Sequence, residues 1–371
     1  MVDYYSLGPH KRISDIVFAG SHDASITSGA QNVRTQTGGI TMQAMAGVRI
    51  FDLRILAQRT GDSASLVGYH GGKSGEKTVT MTHARTGNRF KLKTHSSMSK
   101  LGGGFGEKLS TMLEEGRDFV TKKKSTEFLI FKFDKCTNYS LIAEYCVEIL
   151  GDAIYKPVGE FAKRTLDDLK GQVVCVFPDD ARAEITAYGE DDGIIGFRSL
   201  KSDKGPPKPY DAKYKGLQYM GKGGTDWKKV WKSKTGKMSE NFGKQSKLMG
   251  KMAAVEDQSA GDVLGMMYWT STGLKQSIET RNDVMWTKTG VRRMQDLWEE
   301  ALEDAVGSQL RNQHAKYMDY GDRQQMKAFI PNIVMIDFAD AGKCQTIYDL
   351  NFMAEQRLSD AVTEWVQKNA A

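Results

Sequence analysis

Residues suited to acid–base chemistry on an anionic substrate stand at the ends of four apolar runs in the chain. They are His22 and Asp23 in "FAGSHDAS", Asp52 and Arg54 in "RIFDLRI", His70 in "LVGYHG" and Asp337 in "VMIDFA". Two histidines can serve as base and acid, and a carboxylate beside each ring fixes its tautomer and stabilises its cation. An arginine can neutralise a phosphate through its fork of donors. These residue types together predict a site that moves protons at a phosphate group.

Strands that end at a common place must bring these residues together. Seven short apolar runs bounded by turn or helix signals predict buried strands near residues 17, 51, 68, 131, 175, 267 and 335. Helical patterns such as "EKLSTMLEEGRDFVTKK", "VGEFAKRTLDDLK" and "VRRMQDLWEEALEDAV" lie between several of them. This alternation predicts a parallel sheet, either closed into a barrel or doubly wound, and no GxGxxG or GxxxxGK[ST] supports a nucleotide-binding open sheet. In a barrel the strand ends gather at one mouth, so the polar residues would meet there.

Two segments interrupt the alternation. Residues 71–106 predict a hairpin that turns at "RTGN" and continues into a glycine-rich loop, and residues 199–262 are rich in lysine and aromatic side chains. The length and the globular composition, 40% hydrophobic and 26% charged, fit one catalytic domain over residues 1–371 that carries both segments as insertions.

Several classes of protein are disfavoured by the composition. No run of about eighteen apolar residues and no amino-terminal signal pattern occurs, so we expect a cytoplasmic protein, or one exported without a classical signal peptide. The four cysteines show no spacing typical of a metal site and are expected to be structural thiols.

The local sequence around the polar residues resembles the X-domain of phosphatidylinositol-specific phospholipase C, and most closely its small, metal-independent bacterial members. "GSHDAS" is similar to the family's glycine-[Ser/Thr]-His-Asp-small motif, and "GVRIFDLRI", "YHG" and "IVMIDF" are similar to its second, third and late strands. The resemblance implies a distorted (β/α)8 barrel of the TIM type. It also implies that His22 is the general base oriented by Asp337, that His70 is the general acid paired with Asp23, and that Arg54 holds the phosphate.

The implied reaction is phospholipase C-type cleavage of phosphatidylinositol or a related phospholipid. A hydroxyl next to the phosphodiester would attack phosphorus while the two histidines transfer protons, giving diacylglycerol and a cyclic phosphate. In calcium-dependent members an acidic residue stands where Arg54 stands here. We therefore expect no metal and no other cofactor, because a fixed guanidinium would repel Ca²⁺ and Asp52 alone offers too few oxygens.

Substrate-binding candidates come from four strands. Asp52 lies on the second predicted strand, and "EFLIFKFDK" offers Lys132 or Asp134, depending on register. Arg182 follows the strand "VVCVFPDD". The aromatic pair Tyr268-Trp269 in "VLGMMYWTST", with Trp269 as the candidate, offers a stacking platform for a ring, although aromatic residues that end a strand are more often core.

The lysine-rich insertion suits an anionic membrane surface. Residues 201–251 hold fourteen lysines and four acidic residues, an excess of ten, so the rest of the chain carries 6 − 10 = −4. Trp227, Lys228, Lys229 and Trp231 are the candidate contacts, since lysines are attracted to anionic lipid and tryptophans settle at headgroup depth. A solvated insertion and a nucleic-acid-binding segment have the same composition; the phosphodiesterase hypothesis favours peripheral membrane binding and no nucleic acid.

Two other functions remain open. One is a metal-dependent glycerophosphodiesterase on a similar barrel. The other is a catalytically silent barrel that binds lipid or nucleic acid.

Overall fold

The protein is described by a computed structural model. Its described residues are 2–82, 87, 89–98, 103–122, 125–201, 207–223, 240–245, 247–248, 263–271, 277–287, 294, 296–297 and 331–352. The strands in these residues are β1 Phe18–Ser21, β2 Val48–Leu53, β3 Ile55–Thr60, β4 Ser63–His70, β5 Lys73–Thr82, β6 Arg89–Met98, β7 Gly104–Lys108, β8 Leu129–Phe133, β9 Val173–Pro178, β10 Ile194–Ser199, β11 Leu217–Lys222, β12 Leu264–Trp269 and β13 Ile333–Ile336.

Eight of these strands close into a barrel in the order β1-β13-β12-β11-β10-β9-β8-β2. Every neighbouring pair is parallel. Every residue of β1, β2, β8 and β13 is buried, as expected for parallel strands that are covered on both faces. The predicted α/β barrel of the TIM type is confirmed.

The connections between the barrel strands are uneven in length and in secondary structure. The α-helices with described bounds are α1 Ile40–Ala46, α2 Leu109–Thr121, α3 Tyr139–Leu150, α4 Leu166–Leu169 and α5 Ile278–Thr287, and residues 240–245, 247–248, 294, 296–297 and 341–352 are also helical. β9 and β10 are joined only by 3₁₀ turns. The helix predicted from "VGEFAKRTLDDLK" is wrong, because only a 3₁₀ turn at Phe161–Lys163 and the short α4 form there. Most of "VRRMQDLWEEALEDAV" lies outside the described residues.

The segment between β2 and β8 forms a second sheet, and one strand predicted for the barrel belongs to this sheet instead. Its order is β5-β6-β3-β4-β7, so the run that ends in His70 is not the third barrel strand. β3 and β4 are instead antiparallel and turn at Gly61, where φ is +60°, and β8 takes the place beside β2. Gly61 and Asp62, the two residues between these apolar runs, form a dipeptide that is typical of a hairpin turn, so the sequence did indicate this hairpin.

No helix in the described part of the chain has the length and apolar character needed to cross a membrane.

Candidate active site

The two residues after β1 form the centre of the site. The His22 amide donates to the Ile336 carbonyl of β13 and the Ala24 amide donates to the Asp52 carbonyl of β2, both at 3.0 Å. Asp23, between them, adopts a φ of +44°, which is uncommon for a residue with a Cβ. This turn at the carboxyl end of β1 lets the side chains of His22 and Asp23 reach one cluster at the mouth of the barrel.

Each histidine of the cluster has its own carboxylate. His22 Nδ1 lies 2.9 Å from Asp337 Oδ1, and His70 Nδ1 lies 2.6 Å from Asp23 Oδ2. Because both Nδ1 atoms are engaged, each ring presents Nε2 as its reactive nitrogen. His22 Nε2 is 3.5 Å from Asp23 Oδ2, so the two pairs adjoin.

Arg54 shares the carboxylate that holds His70. Its Nε lies 2.9 Å from Asp23 Oδ1, and its side chain is 21% exposed, close to the 19% of His70. The structure thus brings together the five residues predicted to be catalytic, although His70 arrives from the second sheet rather than from the barrel. The exposed parts of Arg54 and His70 leave the cluster open to a ligand.

Charge pairing sets the protonation of this cluster. Burial lowers the pKa of His22, but the attraction of Asp23 and Asp337 outweighs it and raises that pKa to about 9. Burial likewise raises the pKa of Asp23, and the neighbouring His22, Arg54 and His70 hold it well below its usual range instead. Asp23 also raises the pKa of Arg54 above its ordinary value. At neutral pH the free site therefore holds a cationic His22 beside an anionic Asp23.

A second polar cluster adjoins the first. Lys132 Nζ on β8 lies 3.0 Å from both Asp52 Oδ1 and Asp134 Oδ2, and the Tyr268 hydroxyl donates to Asp52 Oδ2 at 3.1 Å. Burial lowers the pKa of Lys132, but the attraction of Asp52 raises it well above its ordinary value. The sequence offered Lys132 or Asp134 as a candidate. The two residues are two positions apart, and both side chains belong to this cluster. Asp134, with 32% of its side chain exposed, is the accessible member.

The aromatic candidate on β12 is corrected by one residue. Trp269 is completely buried in the core and therefore has no face for a ring to stack on. Tyr268, on the opposite side of the strand, faces the cluster, with its ring edge-on to His22 at a centroid distance of 5.6 Å. Neighbouring residues of a strand face opposite sides, so only one of Tyr268 and Trp269 can face the site. The sequence did not indicate which one.

Two buried amides that sequence reasoning missed support the cluster. Asn282 on α5 donates to Asp337 Oδ2 at 3.1 Å and accepts the Ser271 amide. Gln36 donates to the carbonyls of His22 and Ile336 at 3.0 and 3.2 Å. Neither residue stands at the end of an apolar run, so no signal in the sequence marked them.

Two sets of candidates remain. Arg182 lies on the 3₁₀ turn after β9 and pairs with Glu190 at 3.7 Å. The candidate membrane contacts Trp227, Lys228, Lys229 and Trp231 lie outside the described residues.

The described residues contain no group of three or more His, Cys, Asp or Glu side chains arranged to hold a metal ion. Asp52, the acidic residue of β2, is bound by Lys132 and Tyr268 instead. The arrangement can transfer protons at two imidazoles and bind an anion at Arg54.

Comparisons with known proteins found similarity among solved structures only. No protein-family model and no curated protein matches the chain. A structure of the F249X mutant of phosphatidylinositol-specific phospholipase C from Staphylococcus aureus is 13% identical, covers 93% of this chain and 96% of its own, and has a TM-score of 0.42. A second structure of the S. aureus enzyme is 14% identical over 94% and 97% of the two chains, with a TM-score of 0.46. A calcium-dependent phosphoinositol-specific phospholipase C from Pseudomonas sp. is 14% identical over 71% and 85%, with a TM-score of 0.38. These structures come from the family that the sequence motifs resemble.

Proposed function

We propose that the protein is a phospholipase C-type phosphodiesterase that cleaves phosphatidylinositol or a related phospholipid. The observation that carries the proposal is the pairing of two histidines with separate carboxylates, at 2.9 and 2.6 Å, around one arginine. A protein that only binds lipid has no need of two oriented imidazoles. The motif resemblance of the four strand ends supports the same function.

The proposed reaction is an internal displacement. His22 Nε2 removes the proton from a headgroup hydroxyl next to the phosphodiester, and the hydroxyl oxygen forms a bond to phosphorus. The bond between phosphorus and the diacylglycerol oxygen breaks, and His70 Nε2 protonates that oxygen. The products are diacylglycerol and a cyclic phosphate. Because the nucleophile is tethered to the phosphate it attacks, this step captures no water.

Arg54 neutralises the charge on the phosphate during this step. Its Nε lies 2.9 Å from Asp23 Oδ1, and this ion pair fixes the orientation of the planar guanidinium. The two terminal nitrogens can then bind two phosphate oxygens at once. A fixed cation at this place would perform the electrostatic role of a metal ion. The ammonium of Lys132 on Asp52 also opposes cation binding. These contacts support the proposal that the reaction is metal-independent.

The second polar cluster is proposed to recognise the headgroup. Asp134 is accessible, and Lys132, Asp52 and Tyr268 form a continuous set of donors and acceptors behind it. Such a set binds a polyhydroxylated ring more readily than an apolar one. Arg182 and Trp269 are left out of this proposal because of their placement.

Vesicles of mixed phospholipids that include phosphatidylinositol, incubated with the protein and EDTA, test the proposal. We expect release of diacylglycerol and a cyclic phosphate resonance in the phosphorus NMR spectrum, both unaffected by EDTA. Loss of turnover with EDTA would indicate the metal-dependent glycerophosphodiesterase, and vesicle binding without turnover would indicate a silent barrel.

Substitution of each histidine tests the roles. His22→Ala and His70→Ala should each lower turnover by about 10²–10⁴-fold, the usual contribution of a general acid or base. The exposed His10 offers the matched control, because His10→Ala removes an imidazole outside the cluster. Either cluster variant that keeps more than roughly a tenth of the wild-type rate would remove that histidine from the mechanism.

A further inference from the structure

The side chain of Asn282 on α5 is completely buried, and its contacts lead from that helix to the candidate active site. Its Nδ2 donates to Asp337 Oδ2 at 3.1 Å and to the Ile278 carbonyl at 2.9 Å. Its Oδ1 accepts the Ser271 amide at 3.1 Å. A backbone amide can only donate, and a carbonyl or carboxylate oxygen can only accept, so these partners fix which end of the amide faces Asp337.

The Asp337 carboxylate has one donor on each oxygen. His22 Nδ1 lies 2.9 Å from Oδ1, and Asn282 supplies the donor to Oδ2. The residue is 1% exposed, so water does not take the place of either donor. A hydrogen bond to an ionised carboxylate stabilises its charge and lowers its affinity for a proton. The donor on Oδ2 therefore weakens the attraction between Asp337 and the proton on His22.

α5 is held where Asn282 can make this contact. The Ile278 amide at its start donates to the Gln31 carbonyl at 2.9 Å, and Glu279 pairs with Arg34 at 2.7 Å. Both partners belong to the segment that follows β1, the strand that leads into His22. The helix that carries Asn282 is thus attached to the same part of the mouth as the imidazole.

We infer that Asn282 is a positioning residue that fixes the Asp337 carboxylate against His22 and weakens the hold of that carboxylate on the His22 proton. The catalytic meaning of this inference rests on the proposed role of His22 as the general base. A base must be neutral to accept a proton, so a contact that loosens its proton increases the working fraction of the enzyme.

The other groups around His22 leave Asp337 as the route by which Asn282 acts. The charged and titratable groups that face the imidazole are Asp23, Asp337, Arg54, Asp52 and Tyr268. Burial raises the pKa of Tyr268 well above its ordinary value, so this phenol stays neutral. Asn282 carries no charge of its own, and of these five groups it contacts only Asp337.

Asn282→Leu tests the inference, because it removes the donor and leaves a side chain of similar size. Asp337 Oδ2 would then be buried without a donor, and the pKa of His22 should rise by about half a pH unit or more. NMR titration of protein labelled with ¹⁵N-histidine measures this pKa, with the His22 resonances assigned by their loss in His22→Ala. The ascending limb of kcat/KM on a soluble substrate should move to higher pH with it, whereas loss of the Asp337 charge should move it to lower pH.

Asn332→Leu is the matched control. Asn332 is also a buried amide with backbone partners, the Ser14 and Ile16 carbonyls and the Gly265 amide, but it precedes β13 whereas Asp337 follows it. Its replacement should lower the melting temperature and leave the pKa of His22 unchanged. A merely structural role for Asn282 would make the two variants behave alike.

A measurement on the wild type needs no variant to fold. The side-chain amide resonances of Asn282 should shift with pH at the same midpoint as His22, since both contact Asp337. A constant Asn282 amide through the His22 titration, or a His22 pKa in Asn282→Leu that is unchanged or lowered, would overturn the inference. Because the NMR titration needs no turnover, a shifted His22 in a protein without phosphodiesterase activity would refute the proposed function and leave the contact between Asn282 and Asp337 supported.

Discussion

Asp23 is the residue on which the candidate site depends most. Its two oxygens meet His70 Nδ1 at 2.6 Å, Arg54 Nε at 2.9 Å and His22 Nε2 at 3.5 Å. A carboxylate beside Arg54 and a cationic His22, and hydrogen-bonded to His70, stays ionised although it is buried, and the same charge attracts protons to His22. Asp23 therefore orients one imidazole and tunes the other.

The raised pKa of His22 predicts the pH dependence of the reaction. With a pKa of about 9, His22 is mostly protonated at neutral pH, and a general base must be neutral to accept a proton. We expect a bell-shaped profile of kcat/KM, with an alkaline limb that falls because the reaction also needs a protonated general acid, and an acid limb that rises about tenfold per pH unit as His22 loses its proton. Initial rates on a soluble, short-chain substrate between pH 6 and 10 would measure this limb.

Asp337→Asn provides the control for that profile. Asp337 is one of the two carboxylates that raise the pKa of His22, so its neutralisation should move the ascending limb to lower pH. If Asp337→Asn leaves the ascending limb where the wild type has it, that limb does not report His22, and the base assignment would be wrong.

Arg54→Lys should impair turnover although it conserves the charge. A lysine has no nitrogen at the position of Nε to form the 2.9 Å ion pair with Asp23, and its ammonium cannot bind two phosphate oxygens in the plane of a fork. We expect a loss of at least about tenfold in kcat/KM, measured with the same soluble substrate. Lys73→Arg, on the second sheet, is the converse control and should leave the rate unchanged. Wild-type kinetics in Arg54→Lys would place the phosphate elsewhere.

The site depends on the second sheet, whose strand β4 has an apolar pattern like that of a barrel strand. The run that ends in His70 is as apolar as a barrel strand, yet β4 pairs with β3 and β7. The sequence still predicted that His70 would meet Asp23, since the motif resemblance related the two residues. Which of Tyr268 and Trp269 faces the site depends on strand orientation in the closed barrel, which no local pattern contains. Asn282 and Gln36 act through contacts distant in sequence, and these too are absent from a local pattern.

Gly106→Ala tests whether the second sheet positions His70. Gly106 lies on β7, which pairs with the end of β4, where His70 is opposite Gly104. A Cβ at Gly106 would overlap the Ser25 carbonyl oxygen, which is the acceptor for the Glu107 amide at 3.0 Å. The sheet must then move away from the segment after β1. A shift of about 1 Å in a catalytic group can lower the rate about 10²-fold.

The measurement for this variant is kcat/KM together with circular dichroism, which should show a retained fold. Gly189→Ala is the matched control, because nothing lies within 4 Å of a Cβ there and its backbone is extended. Unchanged kinetics in Gly106→Ala would mean that the position of His70 does not depend on the contact between β7 and Ser25.

At the scale of the whole molecule, charge is distributed unevenly along the chain. Residues 201–251 carry an excess of ten positive charges, and the remainder carries −4. Attraction to an anionic membrane is therefore proposed to depend on this segment, whose lysine pair and tryptophans lie outside the described residues. The chemistry is proposed at the barrel mouth, so membrane binding and catalysis should be separable by substitution.

The double variant Lys228→Glu/Lys229→Glu tests this separation. It changes the local charge by four, and each basic residue near an anionic surface contributes about 1 kcal/mol, so vesicle binding should weaken by several kcal/mol. Raising the salt from about 0.1 M to about 1 M should weaken wild-type binding too, because the Debye length shrinks from about 10 Å to about 3 Å.

Lys91→Glu/Lys93→Glu makes the same charge change on β6, where both lysines are exposed, and should bind nearly as the wild type does. Sedimentation with anionic vesicles measures binding, and a soluble substrate should be cleaved at the wild-type rate by both variants. If Lys228→Glu/Lys229→Glu binds vesicles as tightly as the wild type, the segment is a solvated insertion and the protein contacts membranes elsewhere.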